Sequence, residues 1–276
     1  MTTDFPLPIL MVLLNECFPV DKNELEALLK EQLNPNVSVV GDLNGESGMV
    51  VTWNDISYAV MAIDQPIPKD TFDVALKTSQ GLKDGKGLVD SHQAHLIISP
   101  LNGTNNQLKA IFTALGVMTL ADVLAEKASP LGFYWSNSEV LADKQQFANY
   151  TGKAGEAIAG FNQKMPNALY GLPATYWAGL RMISPDRKTQ FGAITKGLDA
   201  ITGFEIQIEP YPSTPAEVAK HLFSMVSYIL ANGPIFKEGN TIGIEQDKNF
   251  RMNFAPAKPG LPARWVMKLE AVCAAS

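Results

Sequence analysis

Apolar residues recur at helical spacing in three stretches of the chain, and each stretch begins with a pair of residues that caps helices. The pairs are Asp21 with Glu24, Thr104 with Gln107, and Thr214 with Glu217. In such a pair, the first side chain accepts a hydrogen bond from the backbone three residues on, and the Glu or Gln side chain returns one. The sequence therefore predicts helices that begin at these three points, and alanine-rich sequence predicts a fourth within 138–164.

Alternating apolar and polar residues, the period of a half-buried strand, predict strands elsewhere. In the sequence FEIQIE, apolar residues alternate with polar ones, so Glu205 and Glu209 are expected on one exposed strand face. Further apolar or alternating runs predict strands at 8–14, 37–41, 49–53, 57–63, 92–99, 241–245, 250–254 and 264–271. The glycine-rich stretch 81–88 is expected to be a flexible turn.

The order strand, helix, three strands occurs twice, at 8–63 and at 204–271. The predicted fold class is α+β, with mainly antiparallel sheets, helices packed on one face, and two pseudo-repeated strand-helix-three-strand halves. We assign residues 1–128 to an N-terminal half and 129–276 to a C-terminal half, and expect the two to pack as one compact unit. The two series share almost no residue identity, so two unrelated α+β units would also produce this order.

Composition limits the partners that the chain can have. The net charge is −6 and the basic residues are scattered, so no basic stripe predicts nucleic-acid binding. No apolar run approaches the ~20 residues that cross a bilayer. The early stretch FPLPILMVLL lacks the basic start and cleavage pattern of a signal peptide. We therefore expect a cytoplasmic protein that binds neither nucleic acid nor membrane.

Two of the three histidines, His92 and His95, lie just before an apolar run and resemble half of a metal site. Residues three apart on a strand point to opposite faces, so these two side chains are not expected to bind one metal ion. One packed and one exposed histidine are expected instead. The third, His221, falls among the core positions of the helix that begins at 214. The sequence thus predicts no metal site.

Catalytic motifs are also missing from the sequence. The stretch 81–88, GLKDGKGL, has the wrong spacing for a phosphate-binding loop and no Ser or Thr after its lysine. No nucleophile elbow, zinc-protease motif or dinucleotide fingerprint is present. We therefore expect no catalytic residue, no cofactor and no enzyme activity. The pairs Tyr134–Trp135 and Tyr176–Trp177 are candidates for a partner interface or a pocket, with core packing as the alternative.

The second half of the chain carries four short motifs, GFYWSNSEV, ATYWAGLRM, TKGLDAITGFEIQIEP and IFKEGNTIGIEQDKNFRMNF. Taken in order, these motifs resemble the bacterial domain-of-unknown-function family 4261. The positions that carry the resemblance are Tyr134, Trp135, Trp177, Thr195, Gly197, Leu198, Phe204 to Ile208, Gly239, Thr241, Ile242 and Gly243. The resemblance covers the second half of the chain, and the first half looks like the family's usual N-terminal extension.

The resemblance implies no established reaction and no catalytic residues. The family is similar in its genomic setting to families found beside polymorphic toxins and secretion loci. This implies a non-catalytic cytoplasmic binding protein, an immunity protein that neutralises a cognate toxin or effector of a type VI secretion or related system. The candidate partner contacts are Tyr134, Trp135, Glu205 and Glu209.

Two other functions stay open at this point. One is a small-molecule-binding or hydrolytic enzyme that uses the cleft between the two halves. The other is a structural module of a larger assembly. The sequence leaves the oligomeric state undetermined.

Overall fold

The computed structural model describes residues 4–18, 21–33, 35–41, 48–186, 188–245 and 248–270. Within them, the strands form one sheet of seven and one of six strands. The last residue of the predicted strand 264–271 lies outside the described residues. The predicted α+β class with mainly antiparallel sheets is confirmed.

The first sheet is antiparallel throughout and has the order β2-β3-β4-β5-β1-β6-β7. Its strands are β1 Leu10–Leu14, β2 Ser38–Gly41, β3 Gly48–Trp53, β4 Ile56–Ile63, β5 Ala94–Pro100, β6 Gly132–Trp135 and β7 Val140–Asp143. Because β6 pairs with β1, the sheet continues past the predicted boundary between residues 128 and 129. That boundary therefore does not separate the two sheets.

The second sheet has the order β11-β12-β13-β10-β9-β8. Its strands are β8 Gly179–Ile183, β9 Gln190–Lys196, β10 Glu205–Pro212, β11 Thr241–Glu245, β12 Lys248–Ala255 and β13 Arg264–Leu269. Only the pair β10–β13 is parallel among these strands. In the predicted repeat, β1 corresponds to β10 and β4 corresponds to β13. In the first sheet, β5 separates β4 from β1, whereas in the second sheet β13 lies directly beside β10. The internal repeat therefore stays a prediction.

Helices connect these strands. They are α1 Lys22–Gln32, α2 Ala75–Thr78, α3 Gly85–Ser91, α4 Gln107–Ala128, α5 Lys144–Asn162, α6 Ala174–Trp177, α7 Asp199–Thr202 and α8 Pro215–Asn232, with 3-10 turns at Lys69–Phe72 and Ala168–Gly171. The predicted caps Asp21 and Thr214 are confirmed. Asn106 caps α4 instead of Thr104, because the Asn106 side chain accepts from the Lys109 amide at 3.0 Å.

Two cores hold the molecule together. A large core is continuous between the sheets and includes Val12, Trp135 and Ile206. A smaller one lies on the opposite face of the first sheet, where Leu13 and Tyr134 pack against residues of the 3-10 turn Lys69–Phe72, α2 and α3. Helices therefore cover both faces of this sheet, and the expectation of one covered face is wrong for it.

The stretch 81–88 is not the flexible turn that we expected. Its second half begins α3, and the Asp84 side chain caps this helix by accepting from the Gly87 amide at 2.9 Å. Val89 of the same helix is buried in the smaller core. Because the amphipathic pattern is short and contains glycines, the sequence did not predict this helix, which tertiary packing supports.

Helix α4 has 22 residues and is apolar enough to cross a membrane by length and composition alone. The expectation that no apolar run approaches this length is therefore wrong. Most of the apolar window is buried, against β1, β5, α5 and α7. This is the position of a core helix in a globular fold, where an all-round apolar surface is needed for burial on several sides.

Candidate functional site

Three of the four candidate partner contacts lie inside the protein. Tyr134 and Trp135 are at most 2% exposed, because β6 is covered on both faces. The Tyr134 ring packs edge-on against Phe72 at 4.9 Å, and Trp135 packs against Tyr176 at 5.5 Å in the large core. The aromatic pairs of the sequence therefore serve the core, and a partner that docks on this fold does not reach them.

Glu205 is also buried, with 1% exposed, so its expected place on an exposed strand face is wrong. Its carboxyl group accepts hydrogen bonds from the Thr195 hydroxyl at 2.5 Å and from the Gly197 amide at 2.6 Å. Burial, with the neighbouring Asp199 carboxyl as a second cause, raises the pKa of Glu205 to about 8. Glu205 thus holds its proton at neutral pH and stabilises the turn between β9 and α7. Glu209, on the same strand, is half-buried.

Glycines allow this turn to meet the first sheet. Gly197 has a φ of +89°, and a Cβ there would lie 2.5 Å from the carbonyl carbon of Asn137. A Cβ at Gly179 would overlap the carbonyl oxygen of Ser138. The β6–β7 loop therefore closely contacts the start of β8 and the residue after β9, as only glycine permits. Asn137 also accepts from the Ile9 amide at 2.8 Å, which ties the N-terminal segment to the same junction.

The motifs of the family resemblance meet at this junction. Trp135 and Trp177 pack beside the β6–β7 loop, and Thr195 and Gly197 bind the Glu205 carboxyl, whereas Tyr134 lies in the smaller core. The late glycine-threonine motif lies apart from them, on the edge strand β11. Most of the recognisable motif residues are thus structural, because they join the two sheets.

Both histidines of the pair are buried, so the expected exposed one is not found. His92 follows α3 rather than lying on a strand, and its Nε2 accepts from the Ile67 amide at 2.9 Å. Its Nδ1 lies 2.6 Å from the Val89 carbonyl oxygen. On β5, the Nδ1 of His95 lies 2.8 Å from the Gln65 carbonyl oxygen. Both rings therefore satisfy backbone groups of the connection between β4 and β5.

The third histidine, His221, is buried in α8, with its Nδ1 2.9 Å from the Tyr211 hydroxyl. Across the part of the chain that the structure describes, no group of three or more His, Cys, Asp or Glu side chains is placed to hold a metal ion. His92 and His95 thus serve the connection between β4 and β5, and His221 packs separately in α8.

The second sheet has one covered and one open face. Its covered face packs on α8 and includes Ala193, Ile206, Ile208, Phe250 and Met267, all buried. Because side chains alternate along strands, the residues between these point to the other face. There, apart from Gly192 and Glu205, the side chains of the four central strands are half-buried or exposed. We call this surface the open face.

Five cations lie on the open face: Arg181, Lys196, Arg251, Arg264 and Lys268. Arg181 pairs with Glu139, and Arg251 pairs with Glu270 at 2.7 Å. The other three form no ion pair with any described residue. The five cations outnumber the carboxylates of Glu139, Glu209 and Glu270 there, so the open face is basic, although the chain as a whole carries a net charge of −6.

Neutral side chains complete the open face. Gln207, on β10, accepts from Arg264 Nε at 2.8 Å, and Asn253 lies on β12. Ile194 and Val266 are half-buried between the polar residues. The sequence contained a signal for this surface, because the polar positions of 264–269 and 250–254 alternate with apolar ones. The sign of the face was not predictable, because it depends on which strands become neighbours.

Comparison with known protein families matches residues 194–270 to "Domain of unknown function (DUF4261)". Neither the curated proteins nor the solved structures give a match to the chain. The matched range holds Thr195, Gly197 and most of the open face, and it leaves out Tyr134, Trp135 and Trp177. The family resemblance is thereby confirmed for a shorter range than the second half of the chain. Over residues 194–270, the chain is thus similar to the DUF4261 family.

Proposed function

We propose that this chain is a non-catalytic binding protein that docks an acidic protein partner on the open face, and that the partner is a toxin or effector that it neutralises. The observation that carries the proposal is the basic open face itself, which lies almost entirely within the matched domain. A mainly antiparallel sheet can keep one face solvated without further cover. Its two exposed cations without an ion pair, Lys196 and Lys268, therefore stay available to carboxylates of a partner.

The composition of the open face favours a protein over a nucleic acid. Single-stranded nucleic acids bind sheets by stacking bases on aromatic side chains. On the four central strands, the outward positions hold aliphatic, amide and basic residues, with Glu205 and Glu209 as acidic ones, and no aromatic residue. Mixed aliphatic and polar side chains with one dominant charge are suited to a protein surface of opposite charge.

The immunity function rests on the family resemblance and on the logic of inhibition. An inhibitor needs a stable scaffold and a complementary surface, and it needs no reacting groups of its own. The continuous core and the junction around Glu205 supply such a scaffold. Cytoplasmic location is part of the proposal, because a toxin delivered into a cell has to be neutralised there.

The test begins with the adjacent reading frame of the genome. Expressed alone in a laboratory strain, its product is expected to arrest growth, and co-expression of this chain is expected to restore growth. A harmless neighbour, or a toxic neighbour that this chain does not neutralise, would contradict the immunity function. Catalytic turnover of the neighbour by this chain would contradict its non-catalytic nature.

A further inference from the structure

A groove with a volume of about 690 Å³ opens on the first sheet, away from the open face. It lies between the first half of α4, the second half of α5 and the turn that joins β3 to β4. Its size falls within the range of roughly 300–1,000 Å³ that is usual for small-molecule sites. The groove joins residues from both sides of position 128, so neither predicted half forms it alone.

The walls of the groove are mainly apolar and are rigidly placed. Trp53 and Ile56 line the groove on the side of the β3–β4 turn. Phe112 and Leu115 of α4 line it together with Ile158 of α5. All five are packed against the large core on their inner sides or belong to its helices. Such walls suit the apolar body of a small ligand.

Small residues of α5 keep the groove open. A Cβ at Gly155 would contact no atom within 4 Å, so a larger side chain at this position would project into empty space along the groove. Ala154, next to it, also lines the groove. Gly152, one turn earlier on the same helix, is equally open but does not line the groove. The two glycines therefore form a matched pair for testing.

Tyr58 forms part of the floor of the groove and offers one polar group. The residue is 1% exposed, and its hydroxyl lies over Gly116, where a Cβ would overlap it. Within the described residues, no hydrogen bond to this hydroxyl is formed. Burial raises the pKa of Tyr58, so the phenol keeps its proton and is a hydrogen-bond donor. A ligand acceptor that reaches this hydroxyl therefore gains a hydrogen bond.

Charged residues at the mouth of the groove balance each other. The mouth carries one cation, Lys109, and one anion, Asp55. Apart from Tyr58, the remaining polar side chains that line the groove are neutral: the amides of Asn54, Asn106 and Asn162 and the hydroxyls of Thr119 and Thr151. Because neither sign dominates, an uncharged ligand meets no electrostatic penalty, whereas a strongly charged one is attracted by one group and repelled by the other.

From these features we infer a ligand site for an uncharged, flat apolar molecule that carries a hydrogen-bond acceptor such as a carbonyl oxygen. The apolar body lies between Phe112 and Ile158, and the acceptor takes the hydrogen bond of the Tyr58 hydroxyl. The site is separate from the open face, so its function does not depend on the proposed toxin partner.

The probe for this site is prodan, a fluorescent naphthyl ketone whose emission shifts to the blue in apolar surroundings. Titration of the intact chain is expected to saturate at one prodan per protein. Gly155→Leu is expected to weaken binding by at least about tenfold, because the leucine fills the groove. Gly152→Leu is expected to bind within about twofold of the original protein, since its side chain lies outside the groove.

Tyr58→Phe tests the hydrogen bond separately from the apolar contacts. Competition of acetylnaphthalene and ethylnaphthalene against prodan compares a ketone with a hydrocarbon of the same shape. The original protein is expected to prefer the ketone by about 2- to 10-fold, and Tyr58→Phe is expected to remove this preference. Circular dichroism of each variant verifies the fold.

The inference is overturned by any of three results. These are no saturable prodan binding up to its solubility limit, equal binding by the original protein and Gly155→Leu, or an unchanged ketone preference in Tyr58→Phe. Failure of toxin neutralisation would leave these binding results unaffected, so the two proposals fail independently.

Discussion

Glu205→Gln tests whether the junction between the sheets holds a proton at neutral pH. Glutamine keeps the shape of the protonated side chain, and its carbonyl oxygen can still accept from the Gly197 amide, which lies 2.6 Å from the carboxyl group of Glu205. The Thr195 hydroxyl, the second partner of this side chain, can accept a hydrogen bond from the glutamine amide as well as donate one. The substitution therefore removes the titration of this group and leaves the packing in place.

The sign of the effect follows from the direction in which the pKa moves on folding. The pKa of Glu205 is raised from 4.5 to about 8, mainly by burial, so the folded state binds the proton more tightly than the unfolded state. This contribution to stability is fully present below pH 4.5 and is lost as the pH rises through about 8. When the pKa values of the folded and unfolded states differ by one, the unfolding free energy changes by about 1.4 kcal/mol.

The whole difference in pKa would correspond to ~5 kcal/mol of unfolding free energy. Because the Asp199 carboxyl interacts with the same proton, we expect about half of this change, ~2–3 kcal/mol. Urea unfolding, followed by tryptophan fluorescence at a series of pH values, measures this quantity. Relative to Glu205→Gln, the original protein is expected to lose this amount of unfolding free energy between about pH 5 and pH 8. Parallel pH curves for the two proteins would refute the reasoning. Glu209→Gln, on the half-buried neighbour of the same strand, is the control and should run parallel to the original protein.

Three further predictions concern single side chains, and urea unfolding measures each. Gly116→Ala should destabilise the fold by about 1–3 kcal/mol, because a Cβ there overlaps the buried Tyr58 hydroxyl. Gly152→Ala is the control, and it should be neutral or stabilising because the space around Gly152 is open. Equal effects of the two substitutions would contradict the packing described. Thr214→Ala should cost about 1 kcal/mol, because the Thr214 side chain caps α8 and accepts from the Glu217 amide at 3.2 Å; no loss would show that the cap contributes nothing. His92→Phe should cost about 2–5 kcal/mol, since it leaves the Ile67 amide and the Val89 carbonyl without their ring partner, while Gln93→Ala on the exposed neighbour should cost less than ~0.5 kcal/mol.

Much of the fold was predictable because local signals coincide with the final structure. The caps at Asp21 and Thr214 and the alternating strands follow from hydrogen bonding and period, which act over a few residues. The layer between β4 and β5 was not predictable in this way. Its helix α3 is seven residues long and begins with a glycine, so packing of Val89 rather than propensity supports it.

The candidate site was predictable only in part. The sequence predicts that Glu205 is exposed, because apolar and polar residues alternate around it. Only the approach of the β9–α7 turn buries its side chain. The basic character of the open face arises when β13 lies beside β10 in parallel, which sets Arg264 opposite Glu205 in register. The groove depends on the packing of α4 against α5 and the β3–β4 turn, and no local pattern encodes such a contact.

The most direct test of the central claim is the affinity of the purified chain for the product of the adjacent reading frame, before and after reversal of charge on the open face. Lys196→Glu with Lys268→Glu changes two exposed cations of this face, and Lys77→Glu with Lys153→Glu changes two exposed lysines elsewhere by the same amount. Calorimetric titration is expected to show a loss of at least ~10-fold in affinity for the first variant and little change for the second. Equal affinities for both variants would contradict docking on the open face.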